Sequence, residues 1–324
     1  MSRDVALVTG GNSGIGLECA RVLARAGWHV AIASRDRAAS AAAVARIARE
    51  SGADAASELA LDLGSLASVR ELAREIETRR LPIRALVCNA GLQMQQLRRS
   101  AEGHELTFAV NHLGHFLLAN LLLERLRAAG QARIVVVASG VHDPKQPTGM
   151  PKAAIGEIAT LAATGGPAAG AFDGRLAYVN SKLCNLWFTY ELARRLETAG
   201  RGSGGHAITA NGFDPGLVPG SGLARDYPAA LRFVWTWVLP GVAYALSPIL
   251  PSINPAPKAG AALARLVLDP TLASVTGRYF PSHSRWREAA SSEASYDAAR
   301  AAALWEASVR LAGLRPGESP LLLA

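Results

Sequence analysis

Lysine is nearly missing from this chain. Of 34 basic side chains in 324 residues, only Lys145, Lys152, Lys182 and Lys258 are lysines. The Ala- and Arg-rich balance reads as codon bias, not as function, but it makes each lysine conspicuous. Cysteine is sparse too. Cys19, Cys88 and Cys184 are odd in number, far apart and set among apolar residues. That excludes a disulfide framework and zinc-finger spacing, and predicts buried free thiols in a reducing, cytoplasmic setting. Acidic residues number 26 against the 34 basic ones, a formal net charge of +8. Such a charge suits nucleic acid. Yet the arginines are interleaved with Glu, as in Arg70-Glu71 and Arg74-Glu75, which argues for solvated helix faces and against a nucleic-acid partner. His104, His112 and His115 lie near one another without further ligands at useful spacing, so no metal is expected. Met1 leads into an apolar run within a few residues, and no signal peptide is expected.

What is present is alternation. Half of the residues are hydrophobic, enough to bury a sizeable core. Apolar runs at 5–9, 28–34, 58–61, 85–88, 133–138 and 207–213 read as buried strands. Helical patterns occupy 14–26, 37–50, 66–79, 102–128 and 176–199. Strand and helix in turn predict parallel βαβ units with right-handed crossovers. The expected fold is α/β: a doubly wound parallel sheet of Rossmann type with helices on both faces. No repeat or low-complexity linker divides the chain, so one domain is expected over 1–324, its cofactor half at about 1–140. Two stretches break the rhythm. Residues 141–175, rich in Gly, Pro and Ala, form an insertion, and 221–257 are apolar, aromatic and punctuated by proline.

The first strand ends in Thr9-Gly10-Gly11-Asn12-Ser13-Gly14-Ile15-Gly16. Glycines allow a tight turn and let a phosphate approach the helix N-terminus, where free N–H groups and the dipole favour anionic oxygens. A strand before and a helix after supply the context a dinucleotide loop needs. The second strand ends Ala33-Ser34-Arg35-Asp36-Arg37. Ser34 stands where an acid would bind the ribose 2′-hydroxyl of NAD. Arg35, next to it, can pair with the 2′-phosphate of NADP through two hydrogen bonds. Asp36 is expected to turn outward or to cap the helix from Arg37. NADPH is therefore the expected cofactor.

Tyr178-Val179-Asn180-Ser181-Lys182 carries the chemistry. Tyr and Lys four residues apart share one helix face. A free phenol titrates near pH ~10, and an adjacent ammonium is expected to pull that value toward neutrality.

With these motifs the chain resembles the short-chain dehydrogenase/reductase superfamily, whose cofactor loop reads Thr-Gly-x-x-x-Gly-x-Gly. The resemblance runs in order along nearly the whole chain. Asp62-Leu63 follows the third strand, where the family places an acid near the adenine. Cys88-Asn89-Ala90-Gly91 matches its Asn-Asn-Ala-Gly motif, and Asn111 its fourth-helix Asn. Ser139 closes the fifth strand, and Pro215-Gly216, with Val218 just beyond, follows the sixth. Within the superfamily the chain is most similar to retinol dehydrogenases and light-dependent protochlorophyllide oxidoreductases. The phrase Asn111-His112-Leu113-Gly114-His115-Phe116-Leu117-Leu118 is shared with both. Lys182-Leu183-Cys184-Asn185, the insertion and, more loosely, Trp305-Glu306-Ala307-Ser308 lean toward the second. That branch carries a Cys directly after its Pro-Gly, whereas this chain has Leu217. An alkyl side chain cannot donate a proton, which argues against a photochemical reaction.

The resemblance implies an NADPH-dependent oxidoreductase acting on the carbonyl or alcohol of a small molecule. Ser139 and Tyr178 would hold the carbonyl oxygen, and Tyr178 would deliver its proton. Lys182 would bind the nicotinamide ribose and keep the phenol acidic, while Asn111 would fix a water leading to solvent. The segment after Pro-Gly closes over the ligand in the family. Here 231–250 contains Phe233, Trp235, Trp237 and Tyr244 with no charge after Arg232. Its length approaches a membrane span, but Pro240-Gly241 and Pro248 predict broken helices lining a pocket. A lid that also rests on a membrane surface is the second alternative. Either suits a bulky lipophilic ketone or aldehyde. Two other readings are light-dependent protochlorophyllide reduction and a non-catalytic NADPH-binding interaction module. Relatives of the latter kind usually lose the Tyr or Lys that this chain keeps.

Overall fold

The computed structural model describes residues 3–167, 171–200 and 208–322, the side chain of Arg225 excepted. Among them, seven strands form one sheet: β1 (Val5–Thr9), β2 (His29–Ser34), β3 (Ala56–Ala60), β4 (Ile83–Cys88), β5 (Ala132–Val137), β6 (Ile208–Asp214) and β7 (Tyr279–Pro281). All pairings are parallel and the order is β3-β2-β1-β4-β5-β6-β7. The first six strands lie where the apolar runs predict them, although Ala207, at the edge of the sixth run, lies outside the described residues. β7 is a three-residue strand with no run of its own; pairing with β6 creates it.

The sheet is covered on both faces, which is why its strands read as continuous apolar runs. Leu7 and Val8, neighbours on β1, point to opposite sides and join separate cores. One contains Leu86, Phe116 and Trp305, the other Ile32, Phe213 and Leu263.

The described helices are α1 (Gly14–Arg25), α2 (Arg37–Ser51), α3 (Leu66–Thr78), α4 (Leu106–Ala128), α5 (Ile158–Thr164), α6 (Gly174–Gly200), α7 (Ala229–Leu246), α8 (Ala256–Leu268) and α9 (Ala298–Leu311). α4 begins later than its pattern suggests. The Glu105 carboxylate accepts the backbone N–H groups of Thr107 (2.8 Å) and Phe108 (2.7 Å), which fixes the start. Within α4, residues Ala109–Leu113 make one π turn. Among its described residues the insertion at 141–175 holds a short 3-10 turn at its start, α5 and, at its end, the first residues of α6.

α7 corrects the expectation of a break at Pro240-Gly241, while it does end at Leu246, ahead of Pro248. It is one helical run through Pro240, with a π turn at Val234–Val238 immediately before it. Proline has no N–H to donate, and the irregular turn ahead of it accommodates that loss without a break. Nor does most of the segment line a pocket. Of the α7 residues only Ala243 is buried, while Leu231, Phe233, Trp237 and Tyr244 are exposed.

Candidate active site

The sheet reverses its winding between β1 and β4, since crossovers lead from β1 to one side and from β4 to the other. Such a switch point leaves a crevice at the carboxyl ends of the strands. A cavity of about 660 Å³ opens there, within the roughly 300–1,000 Å³ typical of small-molecule sites. The cofactor candidates all border it. Gly10, Asn12, Ser13, Gly14, Ile15 and Gly16 come from the β1 loop. Arg35 follows β2, and Asp62 and Leu63 follow β3. Asn89, Ala90 and Gly91 follow β4, while Pro215, Gly216 and Val218 follow β6.

The loop is locked from below. Thr9 Oγ1 accepts the N–H groups of Asn89 (2.9 Å) and Ala90 (3.0 Å), and Asn89 Nδ2 donates to Thr9 O at 2.9 Å. Gly14 has φ +53°, a left-handed conformation other residues rarely adopt. A Cβ on Gly16 would sit 2.4 Å from Gly10 O, so only glycine lets the loop fold back onto α1. The first turn of α1 carries no acid and Ser13 makes no side-chain cap. Its N–H groups therefore remain for an anionic ligand, which fits a pyrophosphate.

Ser34 Oγ accepts from Asn12 Nδ2 at 2.9 Å and bonds Ser40 Oγ at 2.7 Å. Asp36 caps α2, accepting from Ala39 N at 2.9 Å, as the sequence predicts. Arg35 stands beside them at the cavity wall. Asp62 accepts Gly64 N at 2.9 Å, whereas Ser65 caps α3.

Ser139, Tyr178 and Lys182 meet at the same cavity. Ser139 ends the chain's passage out of β5 and caps a short 3-10 turn, and α6 brings the other two. Lys182 Nζ donates to Val137 O at 3.0 Å and lies 5.4 Å from the centre of the Tyr178 ring. Asn111 lies behind this group, on the π turn of α4. Its Oδ1 accepts Leu92 N (2.8 Å), and its Nδ2 donates to Leu92 O and Ser181 Oγ (2.9 Å each). Both amide protons are thus used, leaving one acceptor lone pair for any water. Its fixed task is to clamp the β4 loop to α6.

One electrostatic expectation is overturned. Lys182 does not draw the phenol toward neutrality. Burial pushes Tyr178 well above its usual value, Asp214 raises it further, and a hydrogen bond with Ser139 opposes them. Lys182 itself is lowered to about 8 by burial, with Asp214 pulling the other way. Desolvation of the buried phenol is the largest influence on it.

Asp214 was not legible as a site residue. It closes β6, is 2% exposed, lines the cavity and accepts Gly216 N at 2.8 Å. Its signal was a carboxylate ending a fully buried strand just before Pro215-Gly216. Leu223, Tyr227 and Trp235 of the expected lid region line the cavity beside Leu217, and Val141 and Met150 of the insertion, for which no such role was expected, join them.

A family model described as "short chain dehydrogenase" matches residues 4–154. The chain is 34% identical to a protochlorophyllide reductase of Avena sativa over 332 residues, covering 96% of this chain and 100% of that protein. The chain belongs to the short-chain dehydrogenase/reductase family. It is also 36% identical to the human polyprenol dehydrogenase over 218 residues, 66% of this chain and 60% of that one. Among solved structures, a putative uncharacterized protein from Mycobacterium paratuberculosis superposes with a TM-score of 0.66 at 27% identity, over 96% of this chain and 94% of that one.

In this member of the family the paired histidines of α4 face apart. His115 Nε2 bonds Thr9 Oγ1 at 2.9 Å, supporting the cofactor loop, and His112 Nε2 bonds Ser308 Oγ at 2.8 Å on α9. Burial lowers both, to about 4 and about 3 respectively, so each is a neutral packing group. The three cysteines are free and buried, as expected, and burial pushes their thiols up.

Proposed function

We propose that the protein is an NADPH-dependent reductase of a bulky lipophilic ketone or aldehyde. The observation that carries this is the meeting of Ser139, Tyr178 and Lys182 in one cavity with the β1 loop and Arg35. Bound NADPH supplies the hydride. Arg35 pairs with the 2′-phosphate, and no carboxylate replaces Ser34 to repel it. The α1 N-terminus takes the pyrophosphate.

Ser139 and Tyr178 donate hydrogen bonds to the substrate oxygen as it gains negative charge, and Tyr178 gives it a proton. A buried phenol held protonated suits a donor. Lys182, near 8, exchanges its own proton close to neutrality and can restore that of Tyr178. The apolar wall of Val141, Met150, Leu223, Tyr227 and Trp235 favours a large nonpolar substrate. Leu217 borders the same space and offers no proton, which weighs against the light-driven reaction of the protochlorophyllide reductases.

A screen of NADPH oxidation over lipophilic ketones and aldehydes tests the reading, with NADH run beside it. Wild type should prefer NADPH, and Arg35→Asp should move the preference toward NADH. Undiminished NADPH preference in that variant would remove the cofactor assignment; no turnover of any carbonyl would remove the reductase.

A further inference from the structure

We infer that α7 and the turn after it form a docking surface for an anionic lipid bilayer, on which the protein lies with its cavity mouth at the acyl boundary. This deepens the proposed function by naming where a lipophilic carbonyl enters, and it rests on that reading only for the identity of the cargo.

The helix is long and apolar enough to cross a membrane, yet almost none of it is buried. At 18 residues it spans roughly 27 Å. Phe233 and Trp237 lie one turn apart, and Tyr244 follows two turns on, a row of half to three-quarters exposed aromatic rings. Leu231, Val238 and Ile249 extend the apolar surface, Ile249 being 76% exposed. Trp and Tyr favour the membrane–water interface, where the ring meets acyl chains and its polar edge meets headgroups.

Charge points the same way. No Asp or Glu occurs from 227 to 268. Of the charges there, Arg232 lies on α7 and Lys258 reaches the turn after it at Ser247 O, whereas Arg265 on α8 is paired with Asp269. A helix without carboxylates that carries Arg232 and has Lys258 at its end complements anionic headgroups. A second protein helix would cover only a narrow seam. Here Ala243 alone is buried, so apolar side chains stand out over more of the circumference than one such seam covers.

The attachment of α7 argues against spanning. Trp235 Nε1 donates to Ser221 O (2.9 Å) and Gly220 N to Trp235 O (2.9 Å), while beyond the helix Lys258 Nζ donates to Ser247 O (3.1 Å). The helix is thus pinned along the body and lies flat. Its inner edge is continuous with the active site, since Trp235 lines the cavity that Tyr178 and Lys182 share. The same helix therefore offers one edge to the substrate and the other to lipid.

The test is flotation of the full chain with vesicles of phosphatidylcholine alone or mixed with phosphatidylglycerol. Wild type should float with the mixed vesicles, and less with phosphatidylcholine alone. The double change Trp237→Asp and Val238→Asp should lower partitioning at least about tenfold, and Arg232→Gln about fivefold. Reduction of a water-soluble carbonyl should stay within about twofold in both, since neither change reaches the site. Absence of flotation, or flotation unchanged by the double variant, overturns the inference. So does a wild-type dimer in light scattering that the double variant splits, with no vesicle binding, which would make the occupant a second copy. Flotation persisting in a protein that turns over no carbonyl would keep the docking surface and sink only the reductase reading.

Discussion

α4 and α7 are both apolar enough to cross a membrane, and both contain a five-residue π turn. The fold treats them oppositely. α4 is packed beneath the sheet, with Phe116 against Trp305 at 4.9 Å and Phe188 at 5.7 Å, and its π turn aims Asn111 at Leu92 and Ser181. α7 sits outside, its π turn next to Pro240 and the rings of Phe233, Trp237 and Tyr244 in solvent. Hydropathy says that a helix wants covering; it does not say by what. In α4 the cover is the rest of the chain. In α7 it has to come from elsewhere.

The comparison can be broken by measuring stability on each helix. Phe116→Ala should cost about 3–5 kcal/mol in denaturant unfolding, because a fully buried ring leaves a cavity. A cost near zero would mean that α4 is not the covered helix described. A second test sharpens the cost of the buried charge beside α4. The folded value of Lys182 lies below its unfolded 10.5, at about 8. Below pH 8 the ammonium must be held in the dry site, a penalty on the order of 3 kcal/mol. Lys182→Met should then be more stable than wild type at pH 7. That advantage should fade as pH rises from 8 to 10.5, where the folded protein binds fewer protons than the unfolded chain. An advantage independent of pH would contradict the assignment.

Asn111→Ala should cost about 1–3 kcal/mol, since it strands the Leu92 backbone groups. Smallest of all, Trp237→Ala should change stability in buffer by less than about 0.5 kcal/mol. A loss comparable to that of Phe116→Ala would show that α7 is held by the chain itself.

Much of the site was legible because its signals are local. The glycine loop, the Ser34-Arg35 pair and the Tyr178–Lys182 spacing each lie within a few residues and depend only on strand and helix geometry. What escaped depends on distant partners. β7 exists by pairing with β6, and α8 and α9 follow the irregular 221–257 stretch, where the strand–helix alternation that marks the earlier helices is lost. Asp214 gains its influence from Tyr178, 36 positions earlier, and a single carboxylate before a proline does not announce that. The direction of the Tyr178 shift escaped for the same reason: spacing supplies the ammonium, but only the fold supplies the burial. α7 shows the limit most plainly, since Pro240 suggested a break and the chain continued through it.

The central claim is that Tyr178 delivers the proton to a carbonyl oxygen. Single-turnover NADPH oxidation with a reactive carbonyl tests it directly in wild type and Tyr178→Phe, with NADPH binding measured separately. The variant should bind NADPH as wild type does and react at least about 100-fold more slowly. Equal rates in the two proteins would contradict the claim.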